Sequence, residues 1–444
     1  MRTKTSQSPL PNPHSPIPNP YSPKIAIIGA GCSGLAAIKI LAENGLTDIV
    51  CFEKNDQAGG NWVYTASESH SSVCETTHII SSKWLSHYSD FPMPPDYPDY
   101  PSHRQVLAYF QAYAKRFNLE RFIRFNSEVK KVEKIENERW RITIGDETVE
   151  DFDYLLVANG HHSVPRHPAW KDDFKGQYLH SHSFKNNRGF EGKRILVVGA
   201  GNSGCDCAVE TSRVAAQVDI SVRSPQYIVP KFFLGKPTDT FAAGMLWLPR
   251  GVQDWLHRIS IRIQVGRYRY YGLPEPDFPP TQAHPTVNSE MLEKIRHGKV
   301  HPRPGIRRVE GQTVFFADGA SAEYDVVIAA TGYRMRFPFF DKNFIDWEDA
   351  TNVPLYLRVF HPEHKSLFFI GLVQPQGSVW PLSEAQARLV ARYISGRYTL
   401  PANWQQLAIK EGAAIEQSFL KSPRHSVEVH FLPYLRKLEK LAKV

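Results

Sequence analysis

Glycines 29, 31 and 34 and glycines 199, 201 and 204 form two loops of identical spacing. The first reads Gly29-Ala30-Gly31-Cys32-Ser33-Gly34 and the second Gly199-Ala200-Gly201-Asn202-Ser203-Gly204. Such a loop can hold a pyrophosphate. In a strand–turn–helix unit the first glycine makes the tight turn. The second lets the backbone approach the phosphates, and the third packs helix on strand. The helix N-terminus then offers unpaired N–H groups and the positive end of its dipole. Nineteen residues past the last glycine of each loop stands a charge, Glu53 in the first and Arg223 in the second. An acid there accepts from ribose hydroxyls, whereas an arginine pairs with a 2′-phosphate. Glu53 therefore fits the ribose of FAD or of NAD, and Arg223 fits NADPH. The plainer alternative for Arg223 is a solvated strand-end charge; the neighbouring Ser224 favours the phosphate.

These loops need strands before them and helices after them, and the chain supplies both. Lys24 to Ile28 and Arg194 to Val198 are apolar runs that end at the first glycine of each loop. With 28 glycines in 444 residues, a bare GxGxxG arises by chance about 0.1 times, so one match is weak and two flanked matches are strong. The first unit is expected to run strand 24–28, helix 33–44 with Gly45 as its C-cap, and strand 48–53. A helix over 102–117 follows from the spacing of Val106, Leu107, Phe110, Tyr113 and Ala114. Short strands are expected near 127–133, 138–144 and 153–158.

A second echo pairs Phe152-Asp153-Tyr154-Leu155-Leu156-Val157-Ala158-Asn159-Gly160 with Tyr324-Asp325-Val326-Val327-Ile328-Ala329-Ala330-Thr331-Gly332. It reads as the exit from a first domain and the return to it. The expected fold is therefore α/β, with two Rossmann-like dinucleotide-binding domains, the second inserted into the first. The FAD-binding domain would be discontinuous, 24–160 and 324–444, and the NADPH-binding domain would span 161–323. A helix from Ser383 and an amphipathic helix within 428–444 would complete the first core. Residues 1–23, rich in Pro and Ser, read as a disordered arm with no signal-peptide core.

Composition narrows the classes. Hydrophobic residues make up 42% and aromatics 12%, enough for sizeable cores. The net charge of +8 suits dinucleotide ligands. Lys and Arg are scattered, with no basic helix or zinc-finger spacing, so no nucleic-acid partner is expected. No apolar stretch is long enough to span a bilayer. The most apolar, Thr240 to Pro249, reads as a buried helix or loop rather than a membrane-surface contact. The five cysteines contain no C-x-x-C pair, against a disulfide reductase and a zinc site. Cys205 and Cys207 read as small packing residues, and a reducing cytoplasm is the expected location. His161, His162, His180 and His182 have no acid or cysteine at matching spacing, so no metal is expected. Oligomeric state stays open.

Beyond the two loops, several motifs resemble the class B flavin-containing monooxygenases, over Lys24 to about Arg397. Phe174-x-Gly176-x-x-x-His180-x-x-x-Phe184 is similar to the family fingerprint and lies between the two loops, as it does there. Read on its own residues, it is a linker bracketed by two Phe, with a sharp turn at Gly176 and histidines that do no chemistry. Ala330-Thr331-Gly332-Tyr333, Gly59-Gly60-Asn61-Trp62 and Gly371-Leu372-Val373-Gln374-Pro375 resemble further family motifs.

The resemblance implies an FAD- and NADPH-dependent monooxygenase. It would insert one oxygen atom from O2 into a small amine or sulfide through a C4a-hydroperoxyflavin. Baeyer–Villiger oxidation of ketones and NADPH oxidase activity are the alternatives; a non-enzymatic flavoprotein sensing NADPH is a third. The hard chemistry would belong to the cofactor, so no catalytic side chain is assigned. Gly29, Ala30, Gly31, Cys32, Ser33, Gly34 and Glu53 would hold FAD. From matching family positions Asn61, Trp62 and Ser81 would lie along it, and Gln374 near its ring; a core aromatic is the alternative for Trp62. Gly199, Gly201, Asn202, Ser203, Gly204 and Arg223 would hold NADPH.

One departure stands out: Ile80 occupies the place of an Asn that in many of these enzymes precedes Ser-Ser-Lys, here Ser81-Ser82-Lys83. His78 is the nearby polar residue that could take over from that Asn. The segment 236–290, least regular in its periodicity, is the expected source of the substrate pocket.

Overall fold

The structure is a computed structural model describing residues 22–67 and 70–443. Of the expected N-terminal arm, only Ser22 and Pro23 fall within the described residues.

Two parallel five-stranded sheets organise the chain. In the first, strands run in the order 367–369, 154–157, 25–28, 49–52, 123–124. In the second the order is 301–303, 217–221, 194–198, 326–329, 177–180. The central strands are continuous apolar runs because helices and loops cover both faces of a parallel sheet. Ile25, Ala26, Ile27, Ile195, Leu196 and Val197 have no exposed surface.

The internal repeat extends well beyond the loops. Helices Cys32–Glu43 and Asn202–Thr211 follow the two central strands, with Gly45 past the first at φ +81°. Each unit then has a three-stranded antiparallel meander, 129–134/140–144/148–152 in the first and 306–310/313–316/321–323 in the second. Each closes with a strand that returns beside the central one, 154–157 or 326–329. Even the joint is repeated. Asp153 accepts from the Lys24 N–H and Asp325 from the Arg194 N–H, both at 2.8 Å.

This corrects the exit-and-return reading of the echo. Val326–Ala329 belongs to the second sheet, so the chain leaves that unit after Ala330 and not at 324. The echo marks equivalent strands, each the return strand of its own unit. The connection between the units is a two-stranded ribbon, 164–165 against 333–334.

The fingerprint is likewise an edge strand of the second sheet rather than a linker turn. Phe174 and Phe184 enter separate apolar clusters. Gly176 is needed for close approach, since a Cβ there would stand 2.7 Å from the Phe174 ring and 2.8 Å from the Asp325 carbonyl oxygen. Tyr333 packs edge-on between His180 and His182, at 5.5 and 5.8 Å.

The helix expected at 102–117 spans His103–Arg116 and starts with a capping box, Ser102 with Gln105. Trp380–Ile394 lies against the first loop's helix through a Ser33–Ser383 hydroxyl contact. The terminal helix is Phe431–Lys443, with Phe431 and Leu438 buried. Thr240 to Pro249 is not the buried segment its composition suggests: Trp247 is 79% exposed and Phe241 39%. Its helix, Thr238–Gly244, is short and has no buried residue. Among the described residues no helix is long and apolar enough to cross a membrane.

Candidate functional site

Gly29 and Gly199 stand at φ +101° and +104°, where a side chain is strained. A Cβ on Gly34 or Gly204 would lie 1.9 Å from the carbonyl oxygen of its loop's first glycine. Both helices start at a glycine with no side-chain cap, so their first-turn N–H groups remain available to an anion. The backbone at both loops thus has the shape and polarity a pyrophosphate needs.

Side chains distinguish the two. Glu53 is buried, and its carboxylate accepts from the Ala30 N–H at 2.8 Å, the Asn55 N–H at 3.0 Å and Asn55 Nδ2 at 2.5 Å. A carboxylate has about four acceptor positions, which leaves one for a hydroxyl. Gly31 faces Gly60, whose Cα would be 3.6 Å from a Cβ at Gly31. Ser33 is buried and its Oγ lies 2.9 Å from Ser383 Oγ, so this hydroxyl is engaged. Cys32 supplies its carbonyl to the Tyr88 hydroxyl at 2.6 Å, and burial pushes its thiol up to about 11, so it is no thiolate.

At the second loop Arg223 is exposed and forms no ion pair with any described residue. Ser203 is exposed as well. Asn202 is partly committed, since its Oδ1 accepts from the Val287 N–H at 2.8 Å. A Cβ at Gly201 would meet Arg424 Nη2 at 3.5 Å. Gln226, donating to the Ala200 carbonyl at 2.9 Å, accepts from Arg424 Nη1 at 3.2 Å. Arg424 thus stands over the middle glycine from a segment more than 200 residues downstream. Sequence spacing had no means of finding it.

The remaining candidates stand outside the two loops. Asn61 Oδ1 accepts from the Ser72 N–H and Oγ at 2.8 and 3.0 Å, which ties the Gly59–Gly60 turn to the next strand of loop. Trp62 meets Trp380 edge-on at 6.2 Å and packs on the first core. Ser81 Oγ lies 2.7 Å from Ser86 Oγ. Gln374 hydrogen-bonds through its backbone N–H to the Val427 carbonyl at 2.8 Å.

Ile80 and Ser81 border a cavity of about 200 Å³, whose other walls come mainly from 227–287 and 430–432. The segment expected to build a pocket does so. His78 is exposed, pairs with the Thr76 carbonyl at 2.9 Å and is not part of the cavity wall. Asp239, at that wall, was not foreseen; its Oδ2 accepts from the Ser82 N–H at 2.5 Å. A lone Asp in an irregular stretch carries no signal until the fold brings it to residue 82.

Two glycine loops on two parallel sheets joined by a ribbon, with a mostly apolar cavity beside Ile80, define the class of proteins with two dinucleotide-binding units. Comparison with known proteins narrows this. The model of the flavin-binding monooxygenase-like family matches residues 22–444. A dimethylaniline monooxygenase (N-oxide-forming) of Pan troglodytes is 34% identical over 443 residues, 94% of this chain and 82% of that protein. Among solved structures, S-allyl-L-cysteine S-oxygenase from Allium sativum superposes with a TM-score of 0.70 at 22% identity, covering 95% of this chain and 88% of that one. Cyclohexanone monooxygenase from Rhodococcus sp. Phi1, bound to NADP+, gives 0.67 at 18% identity, covering 95% and 97%. The chain belongs to the flavin-binding monooxygenase family. It is a flavoprotein monooxygenase that uses FAD, NADPH and O2 and acts on a small molecule.

Proposed function

We propose that the enzyme transfers one oxygen atom of O2 to an amine nitrogen or sulfide sulfur of a small lipophilic compound. The observation that carries this reading is the mostly apolar cavity beside Ile80 and Ser81, which holds no nucleophile–base pair. The names of the similar proteins, N-oxide-forming in one case and S-oxygenase in another, support it.

FAD is assigned to the first loop, 29–34, with Glu53 on its ribose and Asn61, Trp62, Ser81 and Gln374 along its length. Asn61 acts by fixing the turn at 59–60, and Trp62 by fixing the wall behind it. NADPH is assigned to Gly199, Gly201, Asn202, Ser203 and Gly204, with Arg223 on the 2′-phosphate and Arg424 on the pyrophosphate. The FAD unit then comprises 24–160 and the chain after about 331, and the NADPH unit the span between; membership of strand 367–369 in the first sheet supports this division. Bound together, the two cofactors supply hydride and an activated oxygen atom. The chain's part is to orient them, exclude water and admit substrate. Five cysteines without a disulfide support a reducing cytoplasmic location.

Purified holoenzyme given NADPH and benzyl methyl sulfide or N,N-dimethylbenzylamine should yield sulfoxide or N-oxide in proportion to NADPH consumed. A second reading, NADPH oxidase, is favoured by Ile80 at the cavity wall, where an amide is missing. Hydrogen peroxide in step with NADPH and no oxygenated product would establish it, and lactone from cyclohexanone would establish ketone oxygenation. Ile80→Asn should lower the peroxide share of NADPH turnover if the missing amide sets it.

A further inference from the structure

The cavity beside Ile80 has an unusual charge balance. No Lys or Arg lines it, and Asp239 is its one charged side chain. Asp239 Oδ2 is held by the Ser82 N–H, while its Oδ1 is buried with no hydrogen-bond partner among the described residues. Gln264 Oε1, at the same wall, is a second buried acceptor without a partner, and ring nitrogens of His257 and His430 have none either, while His284 Nδ1 faces the Glu428 carboxylate at 3.8 Å. Burial lowers His257 and takes His430 down to about 4, so those rings bring no positive charge. Lys231, beside the cavity residue Tyr100, points its ammonium at that ring, 5.2 Å from its centre, and its carbonyl accepts from the Tyr100 hydroxyl.

In an apolar cavity the free oxygen of that carboxylate has lost its hydration without replacement. Burial accordingly raises the Asp239 carboxyl above the usual carboxylate range. A ligand that brings a cation and an N–H donor would remove that penalty with a charge-assisted hydrogen bond. A thioether brings neither.

We propose that Asp239 selects lipophilic amines that arrive as ammonium ions, and takes their N–H proton before oxygen transfer. This rests on the oxygenation reading above and narrows its substrate class. In the step, the N–H bond of the ammonium breaks and its electron pair stays on nitrogen. An O–H bond forms on the Asp239 carboxylate, and nothing is oxidised or reduced. The amine then presents a free lone pair at the wall formed by Ile80 and Ser81. Carrying a neutral amine and a protonated Asp239, the cavity has no net charge to hydrate.

The test uses FAD-loaded full-length enzyme and two probes of nearly the same shape. N,N-dimethylbenzylamine is cationic at neutral pH and benzyl methyl sulfide is not. Asp239→Asn keeps an acceptor for the Ser82 N–H and removes the charge. It should lower the ratio of amine to sulfide kcat/KM about 10–100-fold, the range for a hydrogen bond to a charged group. Equal losses on both probes would overturn the proposal and reduce Asp239 to an anchor for residue 82, as would no loss on either.

Titration of the oxidised holoenzyme with each probe, followed through the flavin absorbance, gives a readout free of turnover. Wild type should bind the amine tighter than the sulfide, and Asp239→Asn should reverse that order; an unchanged order overturns the proposal. Asp239→Ser serves as a second variant if the first is unstable. Should wild type release only peroxide with both probes, the oxygenation reading fails, while the binding order still decides the role of Asp239.

Discussion

The two glycine loops share backbone geometry, with their first glycines at φ +101° and +104°, yet their surroundings are opposite. The first is enclosed. Its helix buries every residue from Ser33 to Leu41, its acid is 4% exposed, and Ser383, Tyr88 and Gly60 close around it. The second is open. Its charged residue and its serine are exposed, and over its middle glycine stands a side-chain cation, Arg424, instead of packed backbone. One motif thus serves two tasks. A cofactor that stays needs its polar groups desolvated and pre-paired, whereas one that must leave each turnover is better held by charges that water can reach.

The sharpest way to break this contrast is Glu53→Ala. It removes the proposed ribose acceptor and strands the Ala30 N–H, a buried donor worth about 1–3 kcal/mol unsatisfied. FAD affinity should fall on the order of 100-fold. The flavin-to-protein absorbance ratio after gel filtration measures it, and full flavin content would remove Glu53 from the ribose.

Arg223→Ala acts on the open loop. Loss of a charge-assisted contact to a phosphate should raise the KM for NADPH about 10–100-fold while the KM for NADH moves less than about 3-fold. Equal shifts for the two nucleotides would make Arg223 a solvated charge. Arg424→Gln should weaken NADP+ binding about 10-fold without loss of flavin. Calorimetric titration with NADP+ checks it, and flavin loss would mean that Arg424 supports the enclosed loop instead.

The legible part of this molecule is what repeats. Both loops, both central strands and the charge beyond each were readable because a βαβ unit fixes residue types at short, regular spacing. The echo at 152–160 and 324–332 was visible for the same reason but assigned to the wrong partner: strands of equal apolarity do not say which sheet they join, and Val326–Ala329 joins the second. Gly176 was legible as a necessary glycine, though the cause is the Phe174 ring and not a turn. Asp239 and Arg424 were illegible. Each meets its loop across more than 150 positions of chain, and no local periodicity encodes such a contact.

The smallest expected effect isolates enclosure from chemistry. Ser33 and Ser203 occupy the same place in the two loops and differ only in what surrounds them. Ser383 gives its one hydroxyl proton to the Val379 carbonyl at 3.0 Å, so the proton between it and Ser33 comes from Ser33. Ser33→Ala therefore leaves a buried acceptor unpaired and opens a small void, for about 1 kcal/mol. Ser203→Ala removes an exposed hydroxyl and should stay within about 0.5 kcal/mol. Thermal unfolding of the two holoenzyme variants in one buffer provides the comparison. If the two cost the same, enclosure does not distinguish the loops, and the retention of one nucleotide over the other must come from Glu53 and Arg223 alone.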